Sequence, residues 1–192
     1  MKIIGFSASP RDNGNTSTIM KEMLKGAQFA GSVVQYIHLP SLHIMGCVGC
    51  ERCRKDKTCT KFNDDMHTLY PLIELSDGII LGSPTYNYTM TPWMKCFIDR
   101  LYPYFDFTNP RPGPYSSRLA NRGKRALIFG VCEQLSEKEM QYNVPLMADA
   151  IRVVGYEIVD TLYFTGHFKA NSVSHNTEDL SRAYEAGRAF AQ

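Results

Sequence analysis

Short apolar runs alternate along this chain with longer stretches in which apolar residues recur at helical spacing. Lys2 to Ser7 is an apolar run ending in small residues, and reads as a buried strand. From Asn15 to about Ala30 a helix is expected, with Ile19, Met23 and Ala27 on one face. Val33 to Leu39 gives a second strand, closed by Pro40. A cysteine-rich loop follows, then a helix from about Asp64 to Leu75. Its apolar face is Met66, Leu69, Tyr70 and Ile73, and Pro71 predicts a kink. Asp77-Gly78 marks a turn before the strand Ile79 to Gly82. A third helix begins near Thr91, with Pro92 in the favoured first-turn position and Trp93, Phe97, Ile98 and Leu101 as its inward stripe. Phe105 to Gly123 is rich in Pro, Asn and Ser and reads as a long functional loop. Arg125 to Val131 is a strand, followed by a helix from roughly Glu139 to Val154 whose start Pro145 interrupts. Gly155 stops that helix, Glu157 to Phe164 is a fifth strand, and Thr177 to Ala191 is a last helix.

Five strands separated by helices argue for an α/β fold, with a parallel sheet covered on both faces. Right-handed crossovers make that sheet doubly wound. The expected organisation is one domain over 1–192, with a cysteine-rich insertion at about 40–62. In such sheets ligands sit beyond the carboxyl ends of the strands, which narrows the site to the loops after Ser7, Ser83 and Val131.

Composition removes several classes. Across 192 residues, 21 Lys and Arg against 19 Asp and Glu leave a net charge of +2, which argues against a nucleic-acid partner. No apolar run approaches the ~18 residues of a membrane span, and MKIIGFSAS is too weakly charged and too briefly apolar for a signal peptide. The expected location is cytoplasmic. In a reducing cytosol the six cysteines are not a disulfide framework. Four of them crowd between Cys47 and Cys59.

The loop after the first strand reads Ser7-Ala8-Ser9-Pro10-Arg11-Asp12-Asn13-Gly14-Asn15-Thr16-Ser17. Free N–H groups at a helix start, with the positive end of the helix dipole, suit a phosphate. Ser9, Thr16 and Ser17 can donate hydroxyls, Arg11 a planar charged fork, and Gly14 permits close approach. The same residues would also make an ordinary polar turn with Asn15 or Thr16 as N-cap. There is no GxGxxG and no Walker lysine, which disfavours a dinucleotide fold or a P-loop NTPase.

GFSASPRDNGNTS resembles the opening of the NADPH-dependent FMN reductase-like and flavodoxin-like families. GSPTYNYTMTPWMKCFIDR is similar to the same families' Ser-Pro-x-Tyr segment and the helix that follows it. The resemblance implies a flavodoxin-like sheet of order 2-1-3-4-5 that binds FMN. It implies that Ser9, Arg11, Asn15, Thr16 and Ser17 wrap the phosphate, and that Pro84, Thr85, Tyr86, Asn87 and Tyr88 contact the flavin ring. An isoalloxazine is a flat apolar plate with a polar edge, so Tyr86, Tyr88, Tyr102 and Phe105 are candidate walls, as well as candidate core residues. Gly130 to Cys132 could touch the ring edge, and Cys132 reads as a small buried residue.

Cys47-x2-Cys50-x2-Cys53-x5-Cys59 lets three or four thiolates converge on one inorganic core, as in ferredoxin-type runs. Structural zinc, which favours two separated pairs, and thiols that bind nothing are the other readings. Arg52, Arg54, Lys55, Lys57 and Lys61 could offset a cluster's negative charge, or simply face water. The run looks like that of the iron–sulfur flavoprotein branch of the same fold, as does Asp64-Asp65-Met66. That implies a [4Fe–4S] cluster on Cys47, Cys50, Cys53 and Cys59, and a homodimer or homotetramer with the cluster near a neighbour's FMN. His38, His43, His67, His167 and His175 show no paired metal spacing and read as surface or hydrogen-bonding side chains, although His43 and His67 flank the cysteine run and could line a site. Asp99 and Arg100 are assigned a structural role.

The function expected is an FMN-dependent oxidoreductase, passing electrons from NAD(P)H or a ferredoxin-like donor to an acceptor. No catalytic residue is assigned. The alternative is a non-enzymatic electron carrier of flavodoxin or flavoredoxin type. A phospho-receiver is disfavoured because Ser7 and Ser83, not aspartates, end the first and third strands. A hydrolase lacks its Gly-x-Ser-x-Gly elbow.

Overall fold

The computed structural model describes residues 1–192. The parallel strands are β1 (Lys2–Ser7), β2 (Val33–His38), β3 (Gly78–Pro84), β6 (Arg125–Val131) and β7 (Glu157–Phe164). They form one sheet of order β2-β1-β3-β6-β7, the expected 2-1-3-4-5 with the strands of a small hairpin left out of the count. Register runs Lys2 against Val33, Ile3 against Gly78 and Gly78 against Arg125, so β1 ends at Ser7 opposite Gly82, and β3 and β6 run two residues further to end opposite each other at Pro84 and Val131.

Alternation along each strand fills two cores. Ile3, Ile80, Leu127, Phe129 and Phe164 face α1 (Asn15–Phe29) and α6 (Thr177–Phe190). Ile4, Phe6, Ile79, Leu81 and Ile128 pack with the buried side chains of the other layer. There α3 (Met66–Leu75), α4 (Pro92–Asp99) and α5 (Val144–Val154) cover the sheet. A four-residue turn of helix, α2 (Cys53–Asp56), lies inside the cysteine loop.

Three expectations change. Trp93 is exposed; the inward residues of α4 are Met94 and Phe97, with Leu101 beyond, because Pro92 at the helix start puts that i, i+3, i+7 stripe against the sheet. The helix expected from Glu139 divides into a 3-10 turn, Glu137–Met140, and α5 from Val144. Pro145 has no N–H to give and so falls in the first turn. Phe105 to Gly123 is not all loop: β4 (Phe105–Phe107) pairs antiparallel with β5 (Tyr115–Ser117). The helix α3 runs to Leu75 with Pro71 inside it, as expected.

Helices α1 and α6 touch backbone to backbone. A Cβ at Gly187 would lie 1.9 Å from the Met23 carbonyl oxygen, so no other residue fits without parting the helices. Gly187→Ala should therefore destabilise the fold by about 2–3 kcal/mol, read as a lower denaturant midpoint at unchanged slope. An unaltered midpoint would show that the helices separate freely.

Candidate functional site

The loop from Ser7 to α1 is braced by its own side chains. Ser7 and Ser17 share a hydroxyl hydrogen bond of 3.0 Å, and Ser17 Oγ also reaches the Arg11 carbonyl at 3.3 Å. Ser9 Oγ donates to the same carbonyl and accepts from the Arg11 N–H, folding the loop on itself. Asp12 accepts from the Tyr36 hydroxyl at 2.8 Å, a bond that holds its carboxyl below the usual range. Gly14 is the N-cap of α1 and supplies no capping side chain, and the first turn holds no acidic residue. The N–H groups of Asn15, Thr16 and Ser17 meet no backbone acceptor. A Cβ at Gly14 would stand 2.8 Å from Ser9 Oγ, so glycine is required for the loop to close this tightly. The helix thus presents its positive end bare, and an anion suits it.

After β3 the chain turns back between Tyr86 and Thr89, whose backbones exchange two hydrogen bonds. The two central residues, Asn87 and Tyr88, both take positive φ, 47° and 68°, as a primed hairpin turn requires. Asn is at ease there and Tyr is not. Buried Asn143, at the start of α5, donates to Thr85 Oγ1 at 2.8 Å and fixes the loop's first residue.

Between these loops opens a cleft of about 600 Å³. Ser9, Arg11, Asn15, Thr16, Pro84, Thr85, Tyr86 and Asn87 line it together, as the two sequence motifs require. Tyr88 lies in an adjoining pocket with Glu133 and Glu139. Ser17 is not in the cleft wall; its hydroxyl is spent on bracing. Asn15 is in the wall, but its amide ties down the loop after β7, donating to the Lys169 carbonyl at 2.9 Å and accepting from the Val173 N–H. The end of β6 contributes Val131, Cys132 and Glu133. Burial pushes the Cys132 thiol up, in keeping with a small buried residue. His167 and Phe168 also line the cleft, and sequence reasoning missed that placement. Tyr102 and Phe105 do not reach it: they stack with Phe107 and Tyr115 of the hairpin. A bare helix terminus beside an aromatic-edged cleft fits FMN.

Some distance along the chain, Cys47, Cys50, Cys53 and Cys59 all line one pocket of about 150 Å³, with Phe62, Tyr70, Arg100 and Tyr102. Burial pushes the Cys53 thiol up, and Cys59, Cys47 and Cys50 push it in the same direction. No three metal-ligating side chains are drawn to ion-binding distance of one another, but the soft donor set suits an iron–sulfur core. The hairpin holds the loop from outside: Lys57 pairs with Asp106, Arg111 pairs with Glu51, and Arg54 donates to Asn109 at 3.1 Å. His67 Nε2 donates to the Phe62 carbonyl at 2.9 Å, and neither His43 nor His67 lines the pocket.

Underneath runs a buried ion pair. The Arg100 fork donates to Asp64 at 2.5 and 2.9 Å, with side-chain exposures of 2% and 1%, and also to the Met45 carbonyl. Arg100 Nε is buried without a partner. The structural role expected of Asp99-Arg100 is therefore divided: Asp99 pairs with Lys95 on the helix surface, and Arg100 anchors both ends of the cysteine loop.

Comparison with known proteins agrees with this arrangement. Residues 1–144 match the sequence family described as NADPH-dependent FMN reductase. An iron-sulfur flavoprotein of Archaeoglobus fulgidus is 41% identical over 192 residues, all of this chain and 80% of that protein. One from Methanocaldococcus jannaschii is 35% identical over 103 residues, about half the length of each. Among solved structures, an FMN-dependent NADH-azoreductase from Bacillus anthracis in complex with FMN superposes over the full length of both chains with a TM-score of 0.72 at 13% identity, a likeness of fold.

Burial alone would push the Asp64 carboxyl up; the Arg100 fork, the Met45 N–H and the Arg100 charge outweigh it and hold it below the usual carboxylate range. A carboxyl lowered on folding stabilises the native state above its unfolded pKa, and that stability is lost as pH falls below ~4. Asp64→Asn should cost about 3–5 kcal/mol at pH 7. The gap between variant and native protein should narrow in chemical-denaturation series run from pH 5 towards pH 3. A gap constant across that range would show that the pair does not carry the charge.

Proposed function

The chain belongs to the NADPH-dependent FMN reductase family, and on that premise we propose that it is an iron–sulfur flavoprotein moving electrons between a reduced donor and an acceptor. The observation that carries this reading is the gathering of all four clustered cysteines around one pocket, in a domain whose first helix opens bare into a separate cleft. FMN would supply one- and two-electron chemistry in the cleft, and a [4Fe–4S] cluster one-electron chemistry at the cysteines.

The chain's own part is binding, orientation and charge. The Arg11 guanidinium and the N–H groups of Asn15 and Thr16 hold the phosphate, with the Ser9 and Thr16 hydroxyls beside them. Thr85, Tyr86 and Asn87 border the ring's end of the cleft, and Tyr88 extends that edge into the next pocket. Cys47, Cys50, Cys53 and Cys59 ligate the cluster, with Arg52 and Lys61 in the same wall to offset its charge. No side chain is needed as acid or base for electron transfer. Cys47 and Cys50 are exposed beside exposed Val48 and Met45, a surface that a second copy in a homodimer or homotetramer would cover.

One feature favours a second reading, a non-enzymatic carrier fed by a ferredoxin-like partner. Glu133 and Glu139 line the compartment next to the cleft, and two carboxylates there oppose the phosphates of NADPH. Steady-state oxidation of NADH and NADPH separates the two: failure with both, alongside rapid reduction by ferredoxin, makes the chain a carrier.

Anaerobically purified protein should show a flavin spectrum with a broad iron–sulfur shoulder, and iron rather than zinc on metal analysis. Cys50→Ala should remove the shoulder and the iron while the flavin remains; a shoulder left intact means other ligands. Arg11→Ala should weaken FMN binding about tenfold or more, as loss of a charge-assisted contact does. Affinity equal to that of the native chain would remove Arg11 from the phosphate site.

A further inference from the structure

Outside the two loop motifs the cleft is lined by Val131, Cys132, Glu133, His167 and Phe168, of which His167 alone is basic. His167 follows β7, lines the cleft, and has a side chain only 6% exposed. Its Nε2 meets Asp179 Oδ2 at 2.7 Å. Asp179 stands in the first turn of α6 and is itself fixed, accepting from Asn176 Nδ2 at 2.9 Å while its N–H donates to Asn176 Oδ1. A carboxylate can only accept, so Nε2 carries a proton and Nδ1 is the nitrogen left over. Nδ1 has no partner in the chain, and it is not among the buried atoms sealed from solvent. It is the ring nitrogen left free for a ligand, in a residue that lines the cleft.

The main chain places this imidazole at the anion's end. Asn15, the first residue of α1, donates from its amide to the His167 carbonyl at 3.3 Å, and the His167 N–H donates to the Cys132 carbonyl at 3.0 Å. Arg11 is the one other cationic side chain in the wall, and Glu133 supplies an opposing carboxylate. A phosphate monoester carries up to two charges, more than a single guanidinium offsets.

We propose that His167, oriented by Asp179, is a phosphate ligand of the cleft and sets its preference for FMN over riboflavin. With Nε2–H given to Asp179, Nδ1 meets a phosphoryl oxygen as an N–H, that is, as an imidazolium, and the carboxylate behind it compensates the charge. The proposal rests on the FMN reading.

The test is the dissociation constant of FMN and of riboflavin for the flavin-depleted full-length chain, read by quenching of flavin fluorescence. His167→Asn keeps an amide near the Nδ1 position but cannot carry the charge. It should weaken FMN about tenfold and leave riboflavin unchanged. Asp179→Asn, which keeps a hydrogen-bonding partner but drops the charge, should weaken FMN alone by a smaller factor, and it decides the matter if His167→Asn does not fold. Equal losses for both flavins, or no loss for either, overturn the proposal while leaving the FMN reading intact. Native chain that binds neither flavin overturns both.

Discussion

Helix α1 begins with a glycine as its N-cap, no acidic residue in its first turn, and three N–H groups that meet no backbone acceptor. The positive end of a helix left in this state inside a fold must be met by solvent or by an anion. Much of the surrounding structure keeps that terminus where it is. The Ser7–Ser17 contact ties the helix to the end of β1, and Gly187 lets α6 press against its backbone. Asn15 uses its own amide to draw the loop after β7 over the cleft. Thr91 then links the loop's other side to the next strand, its hydroxyl donating to Ala8 O and its N–H to Ser83 Oγ. The serines that end β1 and β3 are therefore braces, which is why they stand where a phospho-receiver would need aspartates.

The cysteine loop depends on a different interaction. Its sulfurs lie on a segment with one short helix and little core of its own, and Cys47 and Cys50 are exposed. The Arg100–Asp64 pair fastens it to the folded domain, reaching the Met45 carbonyl before the first cysteine and Asp64 after the last. Buried pairs contribute little net stability compared with apolar packing, since desolvation offsets the Coulomb gain. Their effect is positional: two nearly sealed charges tolerate one geometry. Removing either partner leaves the other buried and uncompensated, so the loop is fixed by what its loss would cost.

The parallel sheet and most element boundaries were legible because they rest on local period and on turn chemistry, and the strand order came with the family resemblance. Ile3, Ile4 and Phe6 alternate on the page as they do in space, and Gly155 ends α5 in the left-handed conformation expected of it. The loops after Ser7 and Ser83 were also legible, since motif and strand end coincide. The partners of Arg100 and His167 were not. Asp64 is 36 residues from Arg100, and Asp179 reaches His167 across a loop and a helix start. No spacing rule encodes such pairs. The aromatic walls went astray for a related reason: Tyr102 and Phe105 have the composition of a flavin wall, but the hairpin that collects them depends on β4 meeting β5, three residues on each side. Side chains recruited by tertiary closure leave no periodic trace.

Why a second site could be added between β2 and β3 follows from topology. β2 is the edge strand, and the chain must cross back over β1 to reach β3. That crossover already needs a long connection, so lengthening it disturbs no strand register. Doubling a loop adds only about 0.6 kcal/mol of closure entropy, which the clamps across the loop can offset. The insertion also leaves the sheet at the carboxyl end of β2, the end at which α1 begins beside β1. A connection leaving from the opposite end would put the two sites on opposite sides of the domain. The cysteine loop therefore departs from the same strand ends that make a cleft between β1 and β3.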